Sequence, residues 1–197
     1  GQLINEELPG AEITKVKVLP EFEAEEWTLA NGAKVVFRKA DFEKDEVTLT
    51  AYSPGGSTVY DDLDLLPAAA SIGSFTPSYG IGEFDNISLR KLLTGKQAGC
   101  NVSISGMYET VSGGATPKDF ETMMQLLYLR FTAPRFDTLA HNVLIERMMI
   151  SVKQMEGQPQ KIMRDSLQLI RNNYHKRSLL RNEDYVNNIT IDRIEKI

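Results

Sequence analysis

Asn31-Gly32, set between the β-prone runs 27–29 and 34–37, constrains this chain more than any other dipeptide. Both residues tolerate the positive φ of a two-residue type I′ turn, so the segment predicts a hairpin. A third strand follows over 46–53, where Val47, Leu49 and Ala51 alternate with Thr48, Thr50 and Tyr52 in the period of two of a half-buried strand. Pro54-Gly55-Gly56 ends it. A helix is expected over 61–74: acidic residues crowd its start, where the dipole favours them, and Leu65, Leu66, Ala69 and Ile72 form an apolar stripe. Pro67 would cost about 3 kcal/mol in a helix interior, so the helix starts near it or kinks there. This is the helix in which a catalytic cluster would be sought, and it holds no histidine.

The remaining segments alternate between the two periodicities. Residues 1–25 are acidic and weakly periodic, with Pro9-Gly10 and Pro20, and read as a linker or arm; a single domain is expected over 26–197. The start on Gly1 rather than Met reads as an excised fragment with a tag remnant. A turn is expected over 76–82, and a short helix over 86–93 closed by Gly95. Strands follow at Cys100, Val102 and Ile104 and over 108–115. Thr116 and Pro117 then supply an N-cap and a first helical residue. The next helix presents Phe120, Met123, Met124, Leu127 and Phe131 on one face. Helices over 137–156 and 159–174 carry Leu144, Met148, Val152 and Met155, and Met163, Leu167, Ile170 and Tyr174, as their apolar stripes. A last helix starts after Thr190. The order β-β-β-α-α-β-β-α-α-α predicts an α+β two-layer sandwich, a mostly antiparallel sheet covered on one face by helices.

Composition narrows the function classes. No apolar run approaches the ~20 residues that span a bilayer, and no basic region followed by an apolar run marks a signal peptide. A net charge of −5 without a basic stripe argues against nucleic acid as a partner. Lys176-Arg177 and Arg181 read as a solvated helix end. Cys100 is the only cysteine, which excludes an intrachain disulfide, and its strand-like setting predicts a buried inert thiol. The two histidines, His141 and His175, fall on different helices with no H-x-x-E-H or H-E-x-x-H between them, and structural or surface roles are expected for both. Ser57, Ser71, Ser74, Ser103 and Ser105 lack a G-x-S-x-G setting. Gly55-Gly56, Gly80-Ile81-Gly82 and Gly113-Gly114 do not open phosphate-binding helices. The helical methionines Met123, Met124, Met148, Met149, Met155 and Met163 are expected to pack in the core.

Several stretches in order carry a resemblance. Leu29-Ala30-Asn31-Gly32-Ala33-Lys34-Val35-Val36-Phe37 resembles the opening L-x-N-G-x-x-V hairpin of the pitrilysin/insulinase family (peptidase family M16), the zinc peptidases with an inverted H-x-x-E-H motif. The run 47–56 resembles that family's next strand and glycine turn. Ser88-Leu89-Arg90-Lys91-Leu92-Leu93-Thr94-Gly95-Lys96, followed by Cys100-Asn101-Val102-Ser103-Ile104, resembles the central helix and strand of its non-catalytic half-units. Phe131-Thr132-Ala133-Pro134-Arg135-Phe136-Asp137 resembles a later helix exit. The similarity covers about residues 26–197. It implies an α/β half-unit of which two or four enclose a peptide-degradation chamber, and the Leu-Arg-Lys-Leu-Leu-Thr-Gly-Lys run resembles the third of four in bacterial members, in a parent placed in the periplasm or cell envelope.

The departures from that pattern set the functional expectation. An active half carries H-x-x-E-H where this chain reads Leu65-Leu66-Pro67-Ala68-Ala69-Ala70-Ser71-Ile72. The third ligand would be a glutamate on the later long helix; the matching positions are Ile150-Ser151, with Glu146 one turn earlier. The resemblance therefore implies no catalytic and no metal residue in this chain, no cofactor of its own, and zinc in a different half-unit of the parent. Its implied partners are the other half-units and the parent's peptide substrate; no substrate-binding residue is assigned. Two other readings stand beside it. One is an interaction module or core subunit that keeps a peptidase-like fold. The other is a self-standing enzyme of unrelated chemistry, which would need Glu83, Asp85, His141 and Glu146 gathered in one pocket.

Overall fold

The computed structural model describes residues 3–4, 8, 10–40 and 44–197, and these fall into two compact units, Gly1–Glu46 and Val47–Ile197. The first unit is an antiparallel meander of β1 (Ile13–Leu19), β2 (Ala24–Leu29) and β3 (Lys34–Arg38), in that order. Trp27 lies opposite Val16 on one side and Val35 on the other, and its ring stacks on Phe37 at 5.4 Å between centroids. The expected arm thus contains a full strand and the first residues of the next. Val16 and Val18 alternate with Lys15 and Lys17 there, a pattern that the acidic surroundings obscure. The expectation for residues 1–2, 5–7 and 9 lies outside the described residues. The two compact units meet between Glu46 and Val47 in the sequence.

The hairpin forms at Asn31-Gly32, but not through a type I′ turn. Only Gly32 has positive φ, +85°; the Gly32 amide donates to the Leu29 carbonyl at 2.9 Å and the Leu29 amide to the Ala33 carbonyl at 2.8 Å. That is a three-residue loop, a tight turn followed by a left-handed glycine. Asn31 takes a different part: its Oδ1 accepts from the Ala33 amide at 3.0 Å.

The second unit is built on a three-stranded antiparallel sheet, β4 (Val47–Pro54), β5 (Ala98–Ile104) and β6 (Tyr108–Ala115), with β6 in the middle. Helices α1 (Leu66–Tyr79) and α3 (Phe120–Thr132) pack on β5, and α3 also on β6. Helix α2 (Asn86–Leu92) is capped by Asp85, which accepts from the Ser88 amide at 2.6 Å. Helices α4 (Thr138–Met155), α5 (Pro159–Arg171), α6 (Glu183–Asn187) and α7 (Ile191–Glu195) follow; Asp137 caps α4 and Thr190 caps α7. The architecture is α+β, as the element order predicts.

Helix α1 meets expectation at its start and departs from it at its end. It starts at Leu66 with Pro67 in its first turn, where a proline loses no hydrogen bond. It then runs through Pro77 to Tyr79, across the residues expected as a turn. Burial of Phe75 and Tyr79 outweighs the cost of that proline: both lie in a core with Ala68 and Ile72 of α1 and Ile189 and Ile194 near the C-terminus.

Two of the expected helix faces are rotated. On α3 the buried side is Thr122, Met123 and Leu126, whereas Phe120, Met124 and Phe131 are exposed. On α5 no residue is buried, and Met163, Leu167, Ile170 and Tyr174 face outward. The α4 stripe keeps its expected side: Val152 is buried, and Leu144 and Met148 pack against the core.

Candidate functional site

The first turns of α1 are where zinc ligands would be sought, and those turns are built into the core. Leu66, Pro67, Ala68, Ala69 and Ile72 are buried. The one heteroatom side chain in this run, Ser71, is also buried, and its hydroxyl donates to the Pro67 carbonyl at 2.7 Å. On α4, Ile150 and Ser151 lie on the exposed side. These side chains carry no donor set that fits a zinc ion.

The buried polar centre of the unit lies one face further along α1. His141 of α4 is 7% exposed, and the Tyr79 hydroxyl donates to its Nδ1 at 2.8 Å. The Ile189 backbone also hydrogen-bonds the imidazole. Burial holds the His141 pKa below its ordinary value, against the opposing pull of the Ile189 backbone. Burial, and then the nearby Asp137 carboxylate, pushes the Tyr79 hydroxyl up. Phe75 and Phe136 pack around the pair. The trio ties α1, α4 and the C-terminal segment together.

The groups that an unrelated enzyme would need do not converge. Glu83 and Asp85 are exposed in the turn before α2, where Asp85 serves as a cap; Glu146 is exposed on α4. Among the described residues no three His, Cys, Asp or Glu side chains are grouped to hold a metal ion. His175 is exposed, with its Nδ1 accepting from the Arg177 amide at 3.3 Å. Ser74 and Ser105 spend their hydroxyls on the Ser71 and Tyr108 carbonyls. Cys100 is half-buried on β5, and burial raises its thiol pKa despite Arg130 nearby. Among the described residues no helix is long and apolar enough to cross a membrane.

What the unit does contain is a cleft of about 540 Å³ between the sheet, α1 and the end of α3. Ile72, Val102, Val111, Phe131 and Phe136 give it apolar walls, and Arg130 and Arg135 stand in its rim. Arg130 caps the C-terminal end of α1 through the Thr76 carbonyl at 3.2 Å, while Arg135 pairs with Asp137 at 3.7 Å. The Nε of each arginine is buried without a partner. Glu109, also in the lining, holds the Gly56 amide at 2.8 Å. Such a cleft offers buried donors and apolar surface. The sequence reading missed it because Arg130 and Arg135 reach α1 and Asp137 only through the fold.

Solved structures share this fold. PqqL, a periplasmic protease from Escherichia coli, superposes with a TM-score of 0.80 over 98% of this chain at 22% identity. The fold is that of an M16 peptidase domain. The ferredoxin protease FusC, solved as a mutant in complex with Arabidopsis ferredoxin, matches at 0.77 over 98% of the chain with 18% identity. A structure described as the inactive domain of an M16 peptidase from Pseudomonas fluorescens matches at 0.66 over 88%, with 17% identity. The chain spans about a fifth of the length of PqqL and FusC, 21% and 22%, and 42% of the third. No family model and no curated protein sequence matches it.

Proposed function

We propose that this chain is a non-catalytic half-unit of a bacterial M16-type zinc peptidase, one that helps to wall the chamber in which peptides are degraded. The observation that carries the reading is positive: the run that stands in place of H-x-x-E-H, Leu65 to Ile72, buries Leu66, Pro67, Ala68, Ala69 and Ile72, and Ala68 and Ile72 belong to the hydrophobic core. The His141 imidazole is likewise committed, to Tyr79 and Ile189. The full-length agreement with part of two proteases, and the agreement with a domain described as inactive, support the same assignment. On this reading the zinc and its chemistry belong to a different half-unit. The partners of the present chain are the remaining half-units and the peptide they confine, and the PqqL likeness favours a periplasmic setting. The binding cleft and rigid core supply shape and surface, and no step of hydrolysis runs through them.

Two measurements test this. After equilibration with zinc and removal of the excess, the purified chain is expected to retain only substoichiometric metal by elemental analysis, and to leave a quenched fluorescent peptide library uncut. One zinc per chain, with cleavage that a chelator abolishes, would overturn the proposal. The flanking coding sequence supplies the second test: an H-x-x-E-H unit upstream is expected, and its absence would favour a core subunit that has kept the fold alone.

A further inference from the structure

Helix α5 is docked inside out. Its inward side is polar: Lys161 and Asp165 form an ion pair, and the Gln168 amide donates to the Leu179 carbonyl at 3.0 Å. Its outward side carries Met163, Leu167 and Ile170, with Tyr174 just past its end, 61%, 43%, 59% and 69% exposed. An amphipathic helix ordinarily turns such a stripe to its own core. A contiguous exposed one marks a surface that meets something else.

Charge and size identify the occupant. Arg164 and Arg171 flank the stripe on one side, exposed and without an ion-pair partner among the described residues. They belong to a segment, 159–181, with six Lys and Arg against one Asp, in a chain of net charge −5. Lys161 is taken up by Asp165 and Arg177 by the Ser57 and Tyr60 carbonyls, so Arg164 and Arg171 are the positive charges that flank the apolar face. The helix has 13 residues, so it is about 20 Å long, and its outer face offers roughly 200 Å². A stable interface between folded proteins needs about 800 Å² per partner. The surface suits a single peptide segment, not a second copy of the chain. The two arginines stand seven residues apart, about 10 Å along the axis. Carboxylates match that spacing when they are seven apart on a helix.

We propose that the outward face of α5 binds an acidic amphipathic peptide segment of a separate polypeptide, its apolar side chains over Met163, Leu167 and Ile170 and its carboxylates on Arg164 and Arg171. This goes beyond the chamber-wall role, since it requires neither the zinc nor the other half-units. A lipid surface fits less well, because the arginines line only one flank of the stripe and the chain outside the segment is strongly acidic.

The test uses fluorescein-labelled helical peptides with a leucine stripe and either two glutamates or two lysines, seven residues apart, on its edge, read by anisotropy against the full chain. The glutamate peptide is expected to bind and the lysine peptide not. In the Arg164→Glu/Arg171→Glu variant, glutamate-peptide binding is expected to weaken roughly tenfold and the lysine peptide to become the better ligand. Met163→Ser/Leu167→Ser is expected to weaken binding of the glutamate peptide without altering the circular dichroism spectrum. Equal binding of the two peptides, no binding of either, or binding only to vesicles of three parts phosphatidylcholine to one part phosphatidylglycerol would each overturn the proposal.

Discussion

Replacing Tyr79 by Phe removes one oxygen from the centre of the second unit and leaves its shape intact. Tyr79 is fully buried and His141 nearly so, which means that water cannot replace the lost hydroxyl at Nδ1. The net hydrogen bond contributes about 1 kcal/mol, and the acceptor left buried and unpaired costs about 1–2 kcal/mol more, so Tyr79→Phe is expected to destabilise by roughly 2–3 kcal/mol. With a urea dependence of about 2 kcal/mol per molar, the unfolding midpoint falls by about 1 M. The same pair makes stability pH-dependent. The folded state holds His141 neutral, with a pKa below the ordinary 6.5, so between those two values the unfolded chain binds the extra proton. The contribution is complete above pH 6.5 and is lost as the pH falls from there toward the folded value, at a slope of at most about 1.4 kcal/mol per pH unit. Urea unfolding at pH 7.5 and pH 5.5 checks both points. A midpoint shift under about 0.3 M in Tyr79→Phe, or a wild-type midpoint that is flat or higher at pH 5.5, would refute the assignment of a buried neutral histidine held by that hydroxyl.

Two further outcomes follow from the same unit. Gly80 ends α1 with φ +88°, and a Cβ there would overlap the Phe84 carbonyl oxygen and lie 2.8 Å from the Asp85 carbonyl carbon, so Gly80→Ala is expected to cost more than about 3 kcal/mol. Thermal melting should fall by at least about 6 °C, and an unchanged transition would count against the turn geometry. The Cys100 thiol, raised by burial, should react with a neutral aromatic disulfide at pH 7.5 at least about tenfold more slowly than free cysteine, and labelling at the free-cysteine rate would show it to be open to solvent.

Much of the framework is legible in the residues because the signals are local. The hairpin follows from Asn31-Gly32, β4 from the alternation at Val47, Leu49 and Ala51, and the last helix from Thr190. The failures share a cause, since in each a distant contact overrides a local preference. Pro77 marks a break by any local rule, yet Tyr79 has a partner 62 residues away and the helix continues to reach it. The stripe on α3 is drawn correctly as a helix but assigned to the wrong side, because the sheet takes Thr122, Met123 and Leu126 and leaves the aromatic residues outside. Helix α5 is the sharpest case: its periodicity is clear, but periodicity reports that two faces differ, not which of them meets the core. The site followed the same division. That the run Leu65 to Ile72 holds no histidine could be read in the sequence; the cleft with Arg130 and Arg135, assembled from three strands, three helices and the segments between them, could not.

The core that joins Ala68 to Ile194 also sets a constraint on biosynthesis. Residues 126 positions apart in the sequence share one cluster, and Ile189 supplies both an apolar side chain and the backbone group that anchors His141. While the chain emerges from the ribosome, α1 can form its hydrogen bonds early, but its apolar face has no lasting cover until the final helix has been made. The unit must therefore complete its fold late and all at once, with Phe75 and Tyr79 exposed to chaperones or to other nascent chains for most of its synthesis.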